Sequence, residues 1–191
     1  MSTLSLEQLA QNKKIKVHDP FAEFLLADAA MHSFEISLLD CYRLAGHACH
    51  AMTGAFLMSE LAIEHLYENK ICERGDMLVE FGSPLNERAS GPKSQIISYI
   101  TGAWGPTGFP GLGGERYRRR DLLSFGHEDL PPSAVRFSRI STGQSIVIEY
   151  APQEFLSEMA CDLPFPEKWR FEITEILKNV PDILAVTSEA V

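Results

Sequence analysis

Residues 49–69, CHAMTGAFLMSELAIEHLYEN, carry the strongest periodic signal in the chain. Apolar side chains recur there at helical spacing, for example at Met52, Phe56, Ile63 and Leu66, which predicts a helix from Cys49 to Asn69. Apolar residues occupy more than one side of this helix, so it needs covering on several sides. A partner chain is one way to supply that cover, which is one reason to expect a homodimer.

Shorter patterns on both sides of this helix complete the predicted fold. Helix signals begin after Ser5, at Asp19-Pro20, at Leu38, at Gly91-Pro92 and near Trp169, and strand signals cover 33–36, 77–81, 122–125, 135–140 and 145–150. Helices come mostly first and strands mostly last, without βαβ alternation, which predicts an α+β fold. We expect a single domain over residues 1–180, with helices packed on an antiparallel sheet, and a C-terminal tail over residues 181–191.

The composition is that of a soluble globular protein. Of the 191 residues, 45% are hydrophobic and 23% are charged, which excludes a disordered or fibrous chain. Because 17 Lys and Arg face 26 Asp and Glu, the net charge is −9, and we expect no nucleic-acid partner. No apolar run reaches the ~20 residues of a membrane span, so no membrane association is expected. The polar stretch from Met1 to Val17 lacks the apolar centre of a signal peptide, which predicts a cytoplasmic protein.

The four cysteines stand at positions 41, 49, 72 and 161, and none of them forms a CxxC pair. A zinc ribbon, a thioredoxin-type site and a cysteine-ligated iron–sulfur cluster are therefore not supported. Three of the cysteines are expected to act as small buried hydrophobes, namely Cys41, Cys72 and Cys161. No role is assigned to the isolated histidines His32, His65 and His127.

The segment AGHACH, residues 45–50, is the first candidate site. Gly46 allows a turn between two helices, which places His47 and Cys49 at the start of the long helix, where the helix dipole stabilises a thiolate. A thiolate beside an imidazole suits either ligation of zinc, or of iron in an anoxic cell, or nucleophilic catalysis by Cys49. Two ligands cannot complete a metal site, so His18 is expected as the third ligand, with His50 as the local alternative. The alternative is a buried structural cysteine with two hydrogen-bonded histidines.

A glycine-rich loop followed by a cluster of arginines is the second candidate site. The loop GPTGFPGLGG, residues 105–114, precedes ERYRRR, residues 115–120. Glycines permit close approach of the backbone to a ligand, and Arg116, Arg118 and Arg119 offer an anion-binding surface. We expect this loop to border the metal cleft and to hold an anionic small molecule. The alternative is a solvated loop whose arginines pair with the many carboxylates of the chain.

Taken together, these motifs resemble the FmdE-like family, which is named after the FmdE component of formylmethanofuran dehydrogenase. The resemblance covers roughly residues 18–150 and is carried by the GHAC motif at 46–49, the helix start TGA at 53–55 and the second TGA at 101–103. It implies an α+β core that often forms homodimers and that is associated with a metal. It also implies a link, by name, to the molybdenum or tungsten enzyme that reduces carbon dioxide onto methanofuran.

The chain departs from the family pattern in three respects. His50 stands where proline usually follows the motif cysteine, and Gly91-Pro92-Lys93 stands where members commonly have a cysteine. The chain also lacks the cysteines for the zinc finger that some members append. The function expected from the resemblance is that of a metal-binding accessory component related to the dehydrogenase. The alternatives are a non-catalytic subunit that binds a larger oxidoreductase and a metal-free cysteine-dependent enzyme.

Overall fold

The protein, analysed as a computed structural model, is described over residues 4–25, 28–68, 71–113, 115–159 and 162–190, with the backbone alone at 188–190. The helices are α1 (Leu6–Asn12), α2 (Pro20–Phe24), α3 (Ala29–His32), α4 (Leu38–Ala45), α5 (His50–Tyr67), α6 (Ser90–Thr101), α7 (Pro152–Glu158) and α8 (Glu167–Lys178). The strands are β1 (Lys14–His18), β2 (Ser33–Ser37), β3 (Cys72–Glu73), β4 (Met77–Phe81), β5 (Leu123–Phe125), β6 (Ala134–Arg139), β7 (Ser145–Tyr150) and β8 (Leu184–Ala190). The predicted α+β class is confirmed.

Two mixed sheets carry the fold. The smaller sheet has the order β2-β1-β3, and the larger one has the order β5-β4-β6-β7-β8. Most neighbours are antiparallel, but β1 and β3 are parallel, as are β4 and β5. The β4–α6–β5 segment is therefore a crossover connection between two parallel strands. Such a unit was not predicted from the sequence. Its second strand has only three residues, which is too short to give a clear period-2 signal.

Helix α5 forms the centre of the hydrophobic core. Twelve of its residues are buried within this one chain, against α6, α8 and β7 among others. Gly54 allows the closest of these contacts, because a Cβ atom there would lie 2.3 Å from the ring of Tyr150. The packing of a single chain thus covers the apolar faces of α5. The expected homodimer consequently loses this physical argument and is supported only by the family resemblance.

Both ends of the chain contain strands that the sequence analysis missed. β1 pairs with β2 in antiparallel register, with Val17 opposite Phe34 and His18 opposite Ser33. The residues expected as a C-terminal tail instead include β8, which pairs with β7 at the edge of the larger sheet. Within the described part of the chain, no helix is both long and apolar enough to cross a membrane.

Candidate functional site

Three side chains with metal-ligating chemistry come together where the smaller sheet ends. One ligand atom from each of His18, Glu23 and His32 lies within 4.8 Å of the others, and the described residues contain no second group of this kind. Nε2 of His18 lies 3.2 Å from a carboxylate oxygen of Glu23. The His18 and His32 rings meet edge to face, with 5.6 Å between their centroids. Two imidazoles and a carboxylate are the donor set of many zinc and non-haem iron sites.

The local fold explains why residues so far apart in sequence meet. His18 is the last residue of β1, and His32 immediately precedes β2, so the antiparallel pairing of these strands brings the two histidines to one edge. The pairing continues past the strands, because the Asp19 amide donates to the His32 carbonyl at 2.7 Å. Helix α2 then starts at once and carries Glu23 back towards His18.

One ring nitrogen of the group has no hydrogen-bond partner among the described residues. Nδ1 of His32 is buried and makes no hydrogen bond to the described residues. A buried imidazole nitrogen without a partner costs free energy, and a metal ion or an ordered water would satisfy it. Glu23 is the most accessible member, with 59% of its side chain exposed, so the group is open to ions from solvent.

A buried ion cluster anchors the start of α2 beside this group. Asp19 caps the helix by accepting from the amides of Phe21 and Ala22 at 3.1 and 3.2 Å. The same carboxylate accepts from Arg74 and from Arg119, each at 2.9 Å. Burial lowers the pKa of the Arg119 guanidinium, and the Asp19 charge opposes this effect. Asp19 thus fixes the position of α2 through one helix cap and two charged hydrogen bonds.

The predicted ligand-binding arginines have three different environments. Arg119 is buried in the ion cluster, and its Nη1 lies so close to Gly75 that a Cβ there would be 2.1 Å away. Arg118 pairs with Glu115 at 2.7 Å on the surface. Arg116 stacks over the rings of Phe24 and Tyr117, at 4.6 and 4.7 Å. Arg118 and Arg119 thus each pair with a carboxylate, whereas Arg116 contacts two aromatic rings.

The segment of residues 105–113 and 115–120, here called the arginine loop, packs against α2. Phe21 of this helix stacks on Phe109 and Tyr117, with ring centroids 5.1 and 5.2 Å apart. Arg118 and Arg119 line a cavity of about 240 Å³ together with Pro20 and Arg74. The arginine loop therefore contacts the helix that carries Glu23. The last glycine of the predicted loop, Gly114, lies outside the described residues.

The structure does not bring His47 and Cys49 together with His18. His47 is exposed, and its Nδ1 lies 3.1 Å from the carbonyl of Ala45 in the same turn. Cys49 is the N-cap residue of α5 and is 8% exposed within the hydrophobic core. The physical reason for the separation is that β1 directs His18 towards α2 and α3. The sequence could show only that His18, His47 and Cys49 are residue types suited to metal ligation.

His50, the other expected ligand, also has its own partners. Its ring stacks on Trp169 with centroids 4.6 Å apart, and its Nε2 lies 3.2 Å from the Glu172 carboxylate. This contact has the distance of an ion pair but lacks hydrogen-bond geometry. Burial lowers the pKa of His50, although Glu172 acts in the opposite direction. Neither His50 nor Glu172 belongs to the metal-ligating group.

Glu23, His32, Asp19 and Arg74 were not predicted as site residues. A usable signal existed for the histidines, since each follows or precedes an alternating segment, KIKVH at 14–18 and SFEIS at 33–37. Two such strands joined by a short helical connection pair most simply as antiparallel neighbours, which brings both histidines together.

No family profile and no curated protein matches the chain. Among solved structures, the chain is similar to the crystal structure of a tungsten formylmethanofuran dehydrogenase FmdE-like protein from Syntrophus aciditrophicus. The identity is 17%, the match covers 81% of this chain and 72% of that chain, and the TM-score is 0.47. A similarity of this degree does not assign roles to individual residues of this chain.

Proposed function

We propose that this protein binds a divalent transition metal ion, zinc or iron, through His18, Glu23 and His32. The observation that carries the proposal is the mutual proximity of three ligand atoms from these side chains. The donor set supports the choice of metal, because imidazole and carboxylate together suit zinc and ferrous iron better than calcium or magnesium. The unpartnered Nδ1 of His32 supports it further.

The spacing of the donors is compatible with a tetrahedral ion. Two ligand atoms about 2.0–2.1 Å from such an ion lie about 3.4 Å apart. The separation between Nε2 of His18 and the Glu23 carboxylate oxygen is 3.2 Å, so this pair needs little movement, and the ligand atom of His32 lies within 4.8 Å of both. Three protein ligands leave a coordination position for water or for a substrate, as in catalytic rather than closed structural zinc sites.

The experiment is a titration of the metal-free full-length protein with zinc, and with ferrous iron under anoxic conditions. We expect one ion per wild-type chain. At a free metal concentration of 100 Kd, binding adds about 2.7 kcal/mol to the free energy of unfolding. At about 2–4 °C per kcal/mol for a chain of this size, Tm rises by about 5–11 °C.

His32→Gln is the decisive variant, and His47→Gln is its matched control. We expect His32→Gln to lose the Tm shift and His47→Gln to keep it, because His47 is exposed, makes its hydrogen bond within its own turn and lies outside the proposed ligand group. Unchanged zinc binding by His32→Gln would refute the proposed ligand set. Loss of binding by a His47→Ala, Cys49→Ala double variant would instead support the pair predicted from sequence.

The family resemblance adds three proposals, one about family membership and two about partners. These are FmdE-like membership, formation of a homodimer and association with a larger oxidoreductase as an accessory component. Light scattering tests the second, and a mass equal to one chain at micromolar concentration would reject it. Co-purification from native cells tests the third.

A further inference from the structure

A second cavity, remote in sequence from the proposed metal ligands, lies where α5 and α6 begin. Its volume is about 410 Å³, within the range of small-molecule sites. The charged side chains in its wall are those of Arg88 and Lys93, with His50 beside them. No carboxylate occurs among the described residues of this wall, although the chain as a whole has a net charge of −9.

Lys93 is a largely buried cation that lines the cavity and has no counterion among the described residues. The residue is 6% exposed, and its ammonium group makes no hydrogen bond or ion pair with the described residues. Burial lowers the pKa of Lys93, and the nearby charge of Arg88 lowers it further. A largely buried charge without a partner is costly, and an anion from outside the chain that entered the cavity would compensate it.

Helix α5 offers unused hydrogen-bond donors to the same cavity. Its N-cap residue, Cys49, makes no side-chain cap. The amides of His50, Ala51 and Met52 have no acceptor among the described residues, and the first two of these residues line the cavity. In an 18-residue helix the dipole adds to the attraction for an anion at this end.

The start of α6 contributes its side chains rather than its amides. Ser90 and Gly91 already donate to the carbonyls of Glu87 and Leu85, at 2.8 and 3.0 Å. The chain enters this helix through Arg88 and Ala89, both of which have left-handed backbones with φ of 47° and 58°. Left-handed geometry is unfavourable for residues other than glycine, and such strain clusters at functional sites.

We propose that this cavity binds the oxyanion of a small organic molecule, a carboxylate or a phosphate group. The oxyanion accepts from the amides of His50 and Ala51 and neutralises Lys93, while Arg88 adds a second positive charge at the cavity edge. The remaining wall includes Ala51, Tyr150 and Pro152, which offer apolar surface to the carbon part of the ligand. The Tyr150 hydroxyl is unavailable as a donor because it donates to the His50 carbonyl at 2.9 Å.

The test uses the metal-free full chain with inorganic phosphate and acetate as separate probes, against sodium chloride of equal ionic strength. We expect at least one probe to raise Tm and to give saturable binding by NMR or calorimetry. Stronger binding of phosphate assigns the site to phosphate esters, and stronger binding of acetate assigns it to carboxylates. A concentration of about 50 mM detects even a Kd in the millimolar range. Failure of both probes to bind at that concentration would overturn the proposal.

Lys93→Met separates this site from the metal site and from the arginine loop. We expect at least tenfold weaker binding of the probe, with an unliganded Tm equal to or above that of wild type, because an unpaired buried charge is removed. Arg118→Gln and His32→Gln should bind the probe like wild type. If Lys93→Met does not fold, the exposed Arg88→Gln gives the same comparison. Undiminished binding in the variant tested, or loss of binding in Arg118→Gln instead, would overturn the assignment.

Discussion

Replacing Asp19 by asparagine removes the only carboxylate that pairs with both Arg74 and Arg119 among the described residues. The substitution keeps the shape of the side chain, and asparagine is as good an N-cap residue as aspartate, so the cap on α2 is preserved. What is lost is the negative charge between two guanidinium groups. The side chains of Asp19, Arg74 and Arg119 are 14%, 19% and 10% exposed, so water screens their charges poorly.

The expected cost follows from this burial. Removing one partner of a buried ion pair typically lowers the free energy of unfolding by about 3–5 kcal/mol, because the remaining charge is left uncompensated. The side-chain amide introduced by Asp19→Asn would also present a donor where the carboxylate now accepts. At about 2–4 °C per kcal/mol, we expect Tm to fall by roughly 6–20 °C. Another arginine of the loop, Arg118, pairs with Glu115, whose side chain is 78% exposed, so Glu115→Gln should cost only ~0–1 kcal/mol.

Urea unfolding of the metal-free protein, followed by circular dichroism, measures both variants on the same scale. The slope of the free energy against urea should stay constant, so that a shift in the midpoint reports stability alone. Repeating the measurement in about 1 M salt should erase the effect of Glu115→Gln and leave most of the effect of Asp19→Asn. A loss below about 1 kcal/mol for Asp19→Asn, or losses of equal size for the two variants, would refute the argument from burial.

Two further predictions concern close packing and buried thiols. Gly75→Ala should destabilise the protein by about 2 kcal/mol or more relative to Gly143→Ala, because both glycines have positive φ but only at Gly75 would the new Cβ meet Arg119. Thermal unfolding of the two variants measures this difference, and equal losses would contradict it. Burial raises the pKa of Cys41 and of Cys72 to about 12, so about one thiol in 10,000 is ionised at pH 8. Cys41 and Cys72 should resist iodoacetamide in the native state and react after unfolding, and mass spectrometry of the peptides measures this labelling. Rapid labelling of either thiol in the native protein would contradict their burial.

The long helix and the hairpin could be predicted because their signals are local. The apolar period of 49–69 is complete within one stretch of sequence, and only four residues separate the strand signals at 135–140 and 145–150; α5 and the β6–β7 pair form there. The five residues of β1 alternate too, but Lys14 and Lys16 give this segment the character of a polar terminus. The edge strand β8 gives a weak signal because Thr187, Ser188 and Glu189 interrupt its apolar pattern.

The site was harder to predict because its geometry depends on pairing between distant segments. His18 was expected to ligate a metal together with His47 and Cys49, but its neighbours in space are set by the β1–β2 register rather than by the HxC motif. The role of Arg119 depends on Asp19, which is 100 residues away. Short motifs show which chemistry is available, whereas the partners of each side chain are decided by sheet pairing and by helix placement.

The contrast between the two cationic regions shows why motif density is a poor guide to ligand binding. The arginine cluster is conspicuous in the sequence, yet Arg118 and Arg119 each find a carboxylate in the fold. Lys93 stands alone in the sequence, where a lysine is expected to face solvent, yet it is buried and unpaired among the described residues. In a chain with 26 acidic residues, pairing with a carboxylate is the easiest fate for a cation. A buried cation that lacks such a partner therefore points more strongly to an external anion than a cluster whose charges are already balanced.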